Sequence, residues 1–156
     1  MPGHQPPGSP STPAPDPSSL PAKAELDRRP TILAVDDEPG ILEWLTRVLD
    51  VHGYSVLKMS DPDVAITWLE TEPVDALILD IRLAGDRSGL EILEYVRFHR
   101  HLAGLPVLML TGVSQLSAEE EATIRRHRAY IFYKPQGADL MVATLDGLVG
   151  RAPSGR

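Results

Sequence analysis

From Thr31 onward the sequence predicts an α/β domain: five strands, each followed by a helix, in a doubly wound parallel sheet of order 2-1-3-4-5. Three observations lead there. Short apolar runs of strand length alternate with amphipathic segments of helix length. Helix-start signals, either Pro or a capping Asp or Ser, fall between them. Strands joined through helices of this length pair in parallel, and right-handed crossovers leave few arrangements open.

The elements follow in order. Ile32–Val35 is the first strand, and the helix after Pro39 carries Ile41, Leu42, Trp44, Leu45, Val48 and Leu49 on one stripe before ending near Gly53. Tyr54–Met59 is the second strand. Asp61 caps the next helix, with Pro62 at its first position and Val64, Ala65, Trp68 and Leu69 expected inward. Val74–Leu79 is the third strand, and Ser88-Gly-Leu-Glu91 reads as a capping box opening a helix with Leu90, Leu93 and Val96 inward. Pro106–Leu110 is the fourth strand. Ser117-Ala-Glu-Glu120 is a second capping box, for a helix reaching about His127. Tyr130–Tyr133 is the fifth strand, and Leu140, Met141, Thr144, Leu145, Leu148 and Val149 form the stripe of the last helix. The whole is (βα)5 with a flavodoxin-like strand order.

Outside this body, residues 1–30 read as a disordered arm. Eight of the first 21 positions are proline among Gly, Ser, Thr and Ala, a composition too poor in apolar surface to offset its ordering entropy. The spacings Pro7/Pro10 and Pro10/Pro13 fit a PxxP ligand, as proline-rich linkers do by chance. Residues 31–150 form the domain, and 151–156 a short tail that leaves no room for an output domain. Without cysteine, disulfides and thiolate–metal sites are excluded. No apolar run approaches a membrane span and no signal core is present, so a cytoplasmic protein without membrane contact is expected. The net charge is −7, and residues 31–150 hold 19 acids against 10 bases. Such a surface repels nucleic acid, which argues against direct DNA binding.

The polar residues gather at one place. Asp36-Asp37 follow the first strand, Asp80 the third, Thr111 the fourth and Lys134-Pro135 the fifth. In an open parallel sheet these ends share one edge, where ligands bind near the reversal of strand order. Three clustered carboxylates invite a hard divalent cation, and Mg²⁺ suits one or two carboxylates with waters and phosphate oxygens. A carboxylate can also attack phosphorus to form an aspartyl phosphate. The charge developing on the phosphoryl oxygens then needs a cation and donors, which Mg²⁺, Lys134 and Thr111 would supply.

Asp36-Asp37, Leu79-Asp80-Ile81-Arg82-Leu83, Ser88-Gly89-Leu90-Glu91, Leu110-Thr111-Gly112 and Lys134-Pro135 together resemble the receiver domains of response regulators over about residues 31–150. The resemblance implies that Asp80 is the phosphoacceptor. It implies that Asp37 contacts Mg²⁺ directly, Asp36 through a water, and Arg82 through its backbone carbonyl. Lys134 would pair with phosphoryl oxygens, the Thr111 hydroxyl would move to bond one of them, and the Lys134–Pro135 peptide would be cis. The implied partner is a sensor histidine kinase or histidine phosphotransfer protein, with signalling through a protein partner or a homodimer and no catalysis beyond self-phosphorylation and autodephosphorylation. Three departures stand out. Ala84 replaces a frequent Pro, the loop Ala84–Ser88 is one residue longer than usual, and Ile131, flanked by Tyr130 and Phe132, occupies the usual place of a switch aromatic.

Each residue alone has a plainer reading. Acids such as Asp36-Asp37 or Glu119–Glu121 suit a helix N-terminus. Asp80 could be a turn residue, Thr111 a strand end and Lys134 a solvated lysine; their common register makes the difference. His52, His99, His101 and His127 fall near helix ends and read as surface or capping residues, and Trp44 and Trp68 as core. An aspartyl-nucleophile phosphohydrolase would want a second acid two residues after the nucleophile, where this chain has Arg82. A phosphate carrier in a relay would use the same residues as a switch. A receiver-like scaffold that is not phosphorylated should have lost an acid or the lysine, and this chain keeps them all.

Overall fold

A computed structural model describes residues 29–83, 88–112, 116–134 and 137–150. The strands are β1 (Thr31–Val35), β2 (Ser55–Met59), β3 (Ala76–Asp80), β4 (Val107–Thr111) and β5 (Tyr130–Tyr133). The helices are α1 (Pro39–Val51), α2 (Pro62–Thr71), α3 (Gly89–Phe98), α4 (Ala118–Arg126) and α5 (Ala138–Leu148). The strands form one sheet in the order β2-β1-β3-β4-β5 with every pair parallel. β3 and β4 are buried throughout, while the edge strands β2 and β5 keep partial exposure. Their unbroken apolar runs are what a sheet covered on both faces requires.

Alternation along the strands divides the core. Leu33, Leu77, Leu79, Val107 and Met109 face Ala65, Ile66 and Leu69 of α2, Ile92, Leu93 and Val96 of α3, and Ile124 of α4. Ile32, Ala34, Ile78, Leu108 and Leu110 face Leu42, Leu45 and Leu49 of α1 and Met141, Val142 and Leu145 of α5. On the second side Tyr54 is fully buried and donates its hydroxyl to Asp146, itself buried on α5.

Several local expectations need correction. Val64 is 51% exposed, because Pro62, Ala65, Ile66 and Leu69 define the inward arc of α2 and Val64 lies well away from it. Leu140 is 66% exposed, and Val142 takes the inward position expected of it. Trp44 and Trp68 are half-buried and lie against the two clusters instead of inside them. Ser88 accepts from the Glu91 N–H at 3.3 Å, but the reciprocal half of that capping box is not formed. At α4 both halves are present. Arg29 and Pro30, placed by sequence in the arm, touch the body: Arg29 pairs with Asp50 at 2.8 Å and the Pro30 carbonyl accepts from Ser55 N–H at 2.9 Å.

The histidines sit at helix ends as expected. His52, His99 and His127 are the C-caps of α1, α3 and α4. Arg97 joins two of these ends, donating to the carbonyls of His127 at 2.6 Å and Leu105 at 2.7 Å. Burial and the nearby Arg128 both lower its pKa.

Candidate functional site

Strand register builds the site. Val35 pairs with Leu79, so Asp36 and Asp80 are carried to the same level at the carboxyl ends of adjacent strands. Asp80 pairs with Leu110 and Thr111 with Tyr133, and Lys134 N–H donates to the Thr111 carbonyl at 2.7 Å. All six residues singled out from sequence therefore lie on one edge: Asp36, Asp37, Asp80, Arg82, Thr111 and Lys134. Pro135, on which the cis expectation depends, lies outside the described residues, as do Ala84 to Arg87.

Asp36 and Asp80 are almost fully buried, at 1% and 5% exposure, and Thr111 is buried completely. Lys134 Nζ reaches into this pocket, 2.7 Å from Asp36 Oδ2, 3.2 Å from Asp80 Oδ2 and 3.3 Å from Glu38 Oε1. The other oxygen of Asp80 accepts from the Arg82 N–H at 3.2 Å, and Asp36 Oδ1 accepts from the Glu38 N–H at 2.8 Å. Asp36 Oδ2 is held by the Lys134 ammonium, its ion-pair partner at 2.7 Å.

The electrostatics are those of a crowded anionic pocket with one cation. Burial raises the pKa of Asp80, and the Asp36 carboxylate raises it further, against the opposing pull of Lys134. For Lys134, burial alone would lower the pKa, but Asp36 and Asp80 outweigh it and the net shift is upward. Among the described residues one ammonium faces four acids, so the pocket carries excess negative charge.

Oxygens of Asp36, Asp37, Glu38 and Asp80 lie within 4.8 Å of one another. Four carboxylates gathered this closely form a donor set that fits a hard cation taking oxygen ligands. Glu38 was not among the residues singled out from sequence, although it stands directly after Asp37. It is the N-cap of α1, and its carboxylate lies in the pocket with the other three acids and 3.3 Å from Lys134 Nζ.

A five-stranded parallel sheet with acids, hydroxyl and lysine at its carboxyl edge defines a receiver. Residues 32–146 match the family model of the response regulator receiver domain, and the chain belongs to that family. It is 32% identical over 101 residues to the heme response regulator HssR of Staphylococcus saprophyticus, covering 65% of this chain and 43% of the relative. Against the nitrogen assimilation regulatory protein NtrX of Azorhizobium caulinodans it is 34% identical over 112 residues, covering 71% and 24%. The chain thus spans less than half the length of either. Among solved structures, the chemotaxis protein CheY4 of Vibrio cholerae superposes with a TM-score of 0.68 at 25% identity, over 78% of this chain and 99% of that one. A CheY-like receiver domain protein of Methanospirillum hungatei gives 0.69 at 26% identity, over 79% and 95%.

Proposed function

We propose that this receiver domain accepts a phosphoryl group on Asp80, and that Mg²⁺ assists. The observation carrying this reading is the Asp80 carboxylate itself, buried, held between Lys134 Nζ and the Arg82 N–H, and gathered with the carboxylates of Asp36, Asp37 and Glu38. One oxygen of Asp80 attacks phosphorus as the bond to the donor breaks, with a phosphohistidine imidazole leaving. Lys134 follows the charge onto the phosphoryl oxygens, and the Thr111 hydroxyl turns to bond one of them. Asp37 and Asp80 would hold the metal with the Arg82 backbone carbonyl, and Asp36 would act through a water. The metal supplies neutralisation of the developing phosphoryl charge.

The donor is a sensor histidine kinase or a histidine phosphotransfer protein, in the cytoplasm. Among the described residues no helix is long and apolar enough to cross a membrane. The domain has no substrate to turn over apart from its own aspartyl phosphate. Its readout is a change of affinity for a protein partner or a second copy at the face of α4, β5 and α5. Ile131 packs on the α4 side of the sheet beside the exposed Tyr130, whereas Phe132 packs against α1 and α5, which supports Ile131 or Tyr130 as the residue that answers a movement of Thr111. A coupling of about 1–3 kcal/mol is the usual scale for such links.

Incubation with acetyl phosphate and Mg²⁺, read by intact mass, tests the acceptor. A single added phosphoryl group that vanishes in Asp80→Asn supports it, and modification of that variant at the wild-type rate overturns it. Chemical-shift mapping with beryllofluoride tests the readout. Changes confined to the pocket, with β5 and α5 silent, would favour a phosphate carrier over a switch.

A further inference from the structure

Arg82 does more than offer a backbone carbonyl. Its guanidinium, 59% exposed, lies 2.9 Å from Glu120 Oε1, and Glu120 is only 16% exposed. The second oxygen of Glu120 accepts from the Ser117 N–H at 2.9 Å, while the Glu120 N–H donates to Ser117 Oγ at 3.1 Å. One carboxylate therefore closes the capping box of α4 and holds the side chain two residues beyond Asp80. A continuous chain of contacts runs from Asp80 Oδ1 through the Arg82 backbone and guanidinium to the first turn of α4.

That helix has few other holds. Among the described residues it buries Ile124 alone, where each other helix buries three or four residues. Its far end is fixed by the Arg97 clamp on the His127 carbonyl. The Ser117 end depends on the capping box and on Arg82, with three acids, Glu119, Glu120 and Glu121, crowded in its first turn. Loss of the guanidinium leaves these acids to repel one another, so this end loosens first.

We propose that Arg82 is the positioning residue that couples Asp80 to α4: its guanidinium rests on Glu120 and moves to the phosphoryl oxygens once they are present. The inference rests on the phosphoacceptor reading of Asp80. A phosphoryl group brings about two negative charges and three acceptor oxygens beside a residue whose exposed side chain can turn at little cost. Bidentate geometry makes phosphate a stronger partner for a guanidinium than one carboxylate oxygen. The first turn of α4 then loses its cation.

Amide exchange at residues 118–122, with and without beryllofluoride and Mg²⁺, is the test, alongside the intact-mass assay on the same protein. An exposed ion pair contributes up to about 1 kcal/mol, so its release accelerates exchange about two- to fivefold. Glu120→Gln keeps a capping side chain but loses the charge, and it is expected to show the faster exchange already without beryllofluoride and no further response. Arg82→Ala should behave likewise, and Arg82→Lys should restore the slow baseline. A full response in Glu120→Gln, or a wild-type α4 indifferent to beryllofluoride, overturns the coupling. Should the mass assay show no phosphoryl group on Asp80, the acceptor reading itself falls; a phosphorylated chain with a silent α4 sinks the coupling alone.

Discussion

Gly89 lies directly against the main chain of Asp80: a Cβ at position 89 would stand 1.9 Å from the Asp80 carbonyl oxygen and 2.8 Å from its carbon. The Gly89 N–H also donates to the Ile81 carbonyl at 3.0 Å, so the start of α3 is seated on the segment that follows the acceptor. Since the obstructing atoms are backbone, neither side can yield without moving Asp80.

Gly89→Ala is therefore expected to cost about 1–3 kcal/mol, the usual range for overfilling a close-packed contact, measured by urea unfolding. It should also slow acetyl phosphate labelling of Asp80 in whatever fraction remains folded. Wild-type stability and labelling rate together would show that α3 can shift away freely.

The charge crowding predicts an opposite effect for Asp80→Asn. The folded pKa of Asp80 is raised, so its ionisation costs stability. That cost is absent below the ordinary aspartate value, grows as pH rises from there to the folded value, and is fully present above it. Lys134 keeps Asp36 as a partner at 2.7 Å in the variant. In chelator at neutral pH, Asp80→Asn should be more stable by about 1 kcal/mol, with the gain disappearing as pH falls below the ordinary aspartate range. A variant less stable than wild type at neutral pH would contradict this account.

Metal titration separates the two acids after β1. Asp36 is buried and engaged with Lys134, whereas Asp37 is exposed and open to take a cation directly. Asp37→Ala should weaken Mg²⁺ binding at least about tenfold more than Asp36→Ala. Equal losses would mean that both carboxylates contact the ion in the same way.

Glu120 gives a pH signature of the other sign. The Ser117 N–H lowers its pKa most, burial opposes that shift, and the Arg82 charge adds to the lowering, so the net shift is downward. Its contribution is therefore fully present above the ordinary glutamate value and lost as pH falls through the lowered folded value. Glu120→Ala should cost about 0.5–1.5 kcal/mol at neutral pH, a difference that closes in acid. A pH-independent difference would assign the effect to helix propensity alone.

Much of this was legible in the residues themselves. Strand-length apolar runs, Pro39 and Pro62 at helix starts, and the Asp61 and Ser117 caps are local signals, and local sterics and hydrogen bonds set them. The common register of Asp36, Asp80, Thr111 and Lys134 could likewise be inferred, because parallel strands of similar length end on one edge.

Other features belong to the folded molecule. Val64 and Leu140 are apolar residues on amphipathic helices, yet which side of each helix meets the sheet depends on how the helix is docked. Glu38 meets Lys134, 96 residues away in sequence, just past the end of β5. Arg82 finds Glu120, and Gly89 finds the Asp80 carbonyl, across loops whose paths no local pattern specifies. The elements, their order and the chemistry gathered at one edge were thus written in the chain, since they follow from short-range preference and from the parity of strands. Which charges share a partner, and which backbone atoms leave no room for a side chain, came instead from the close packing of segments distant in sequence.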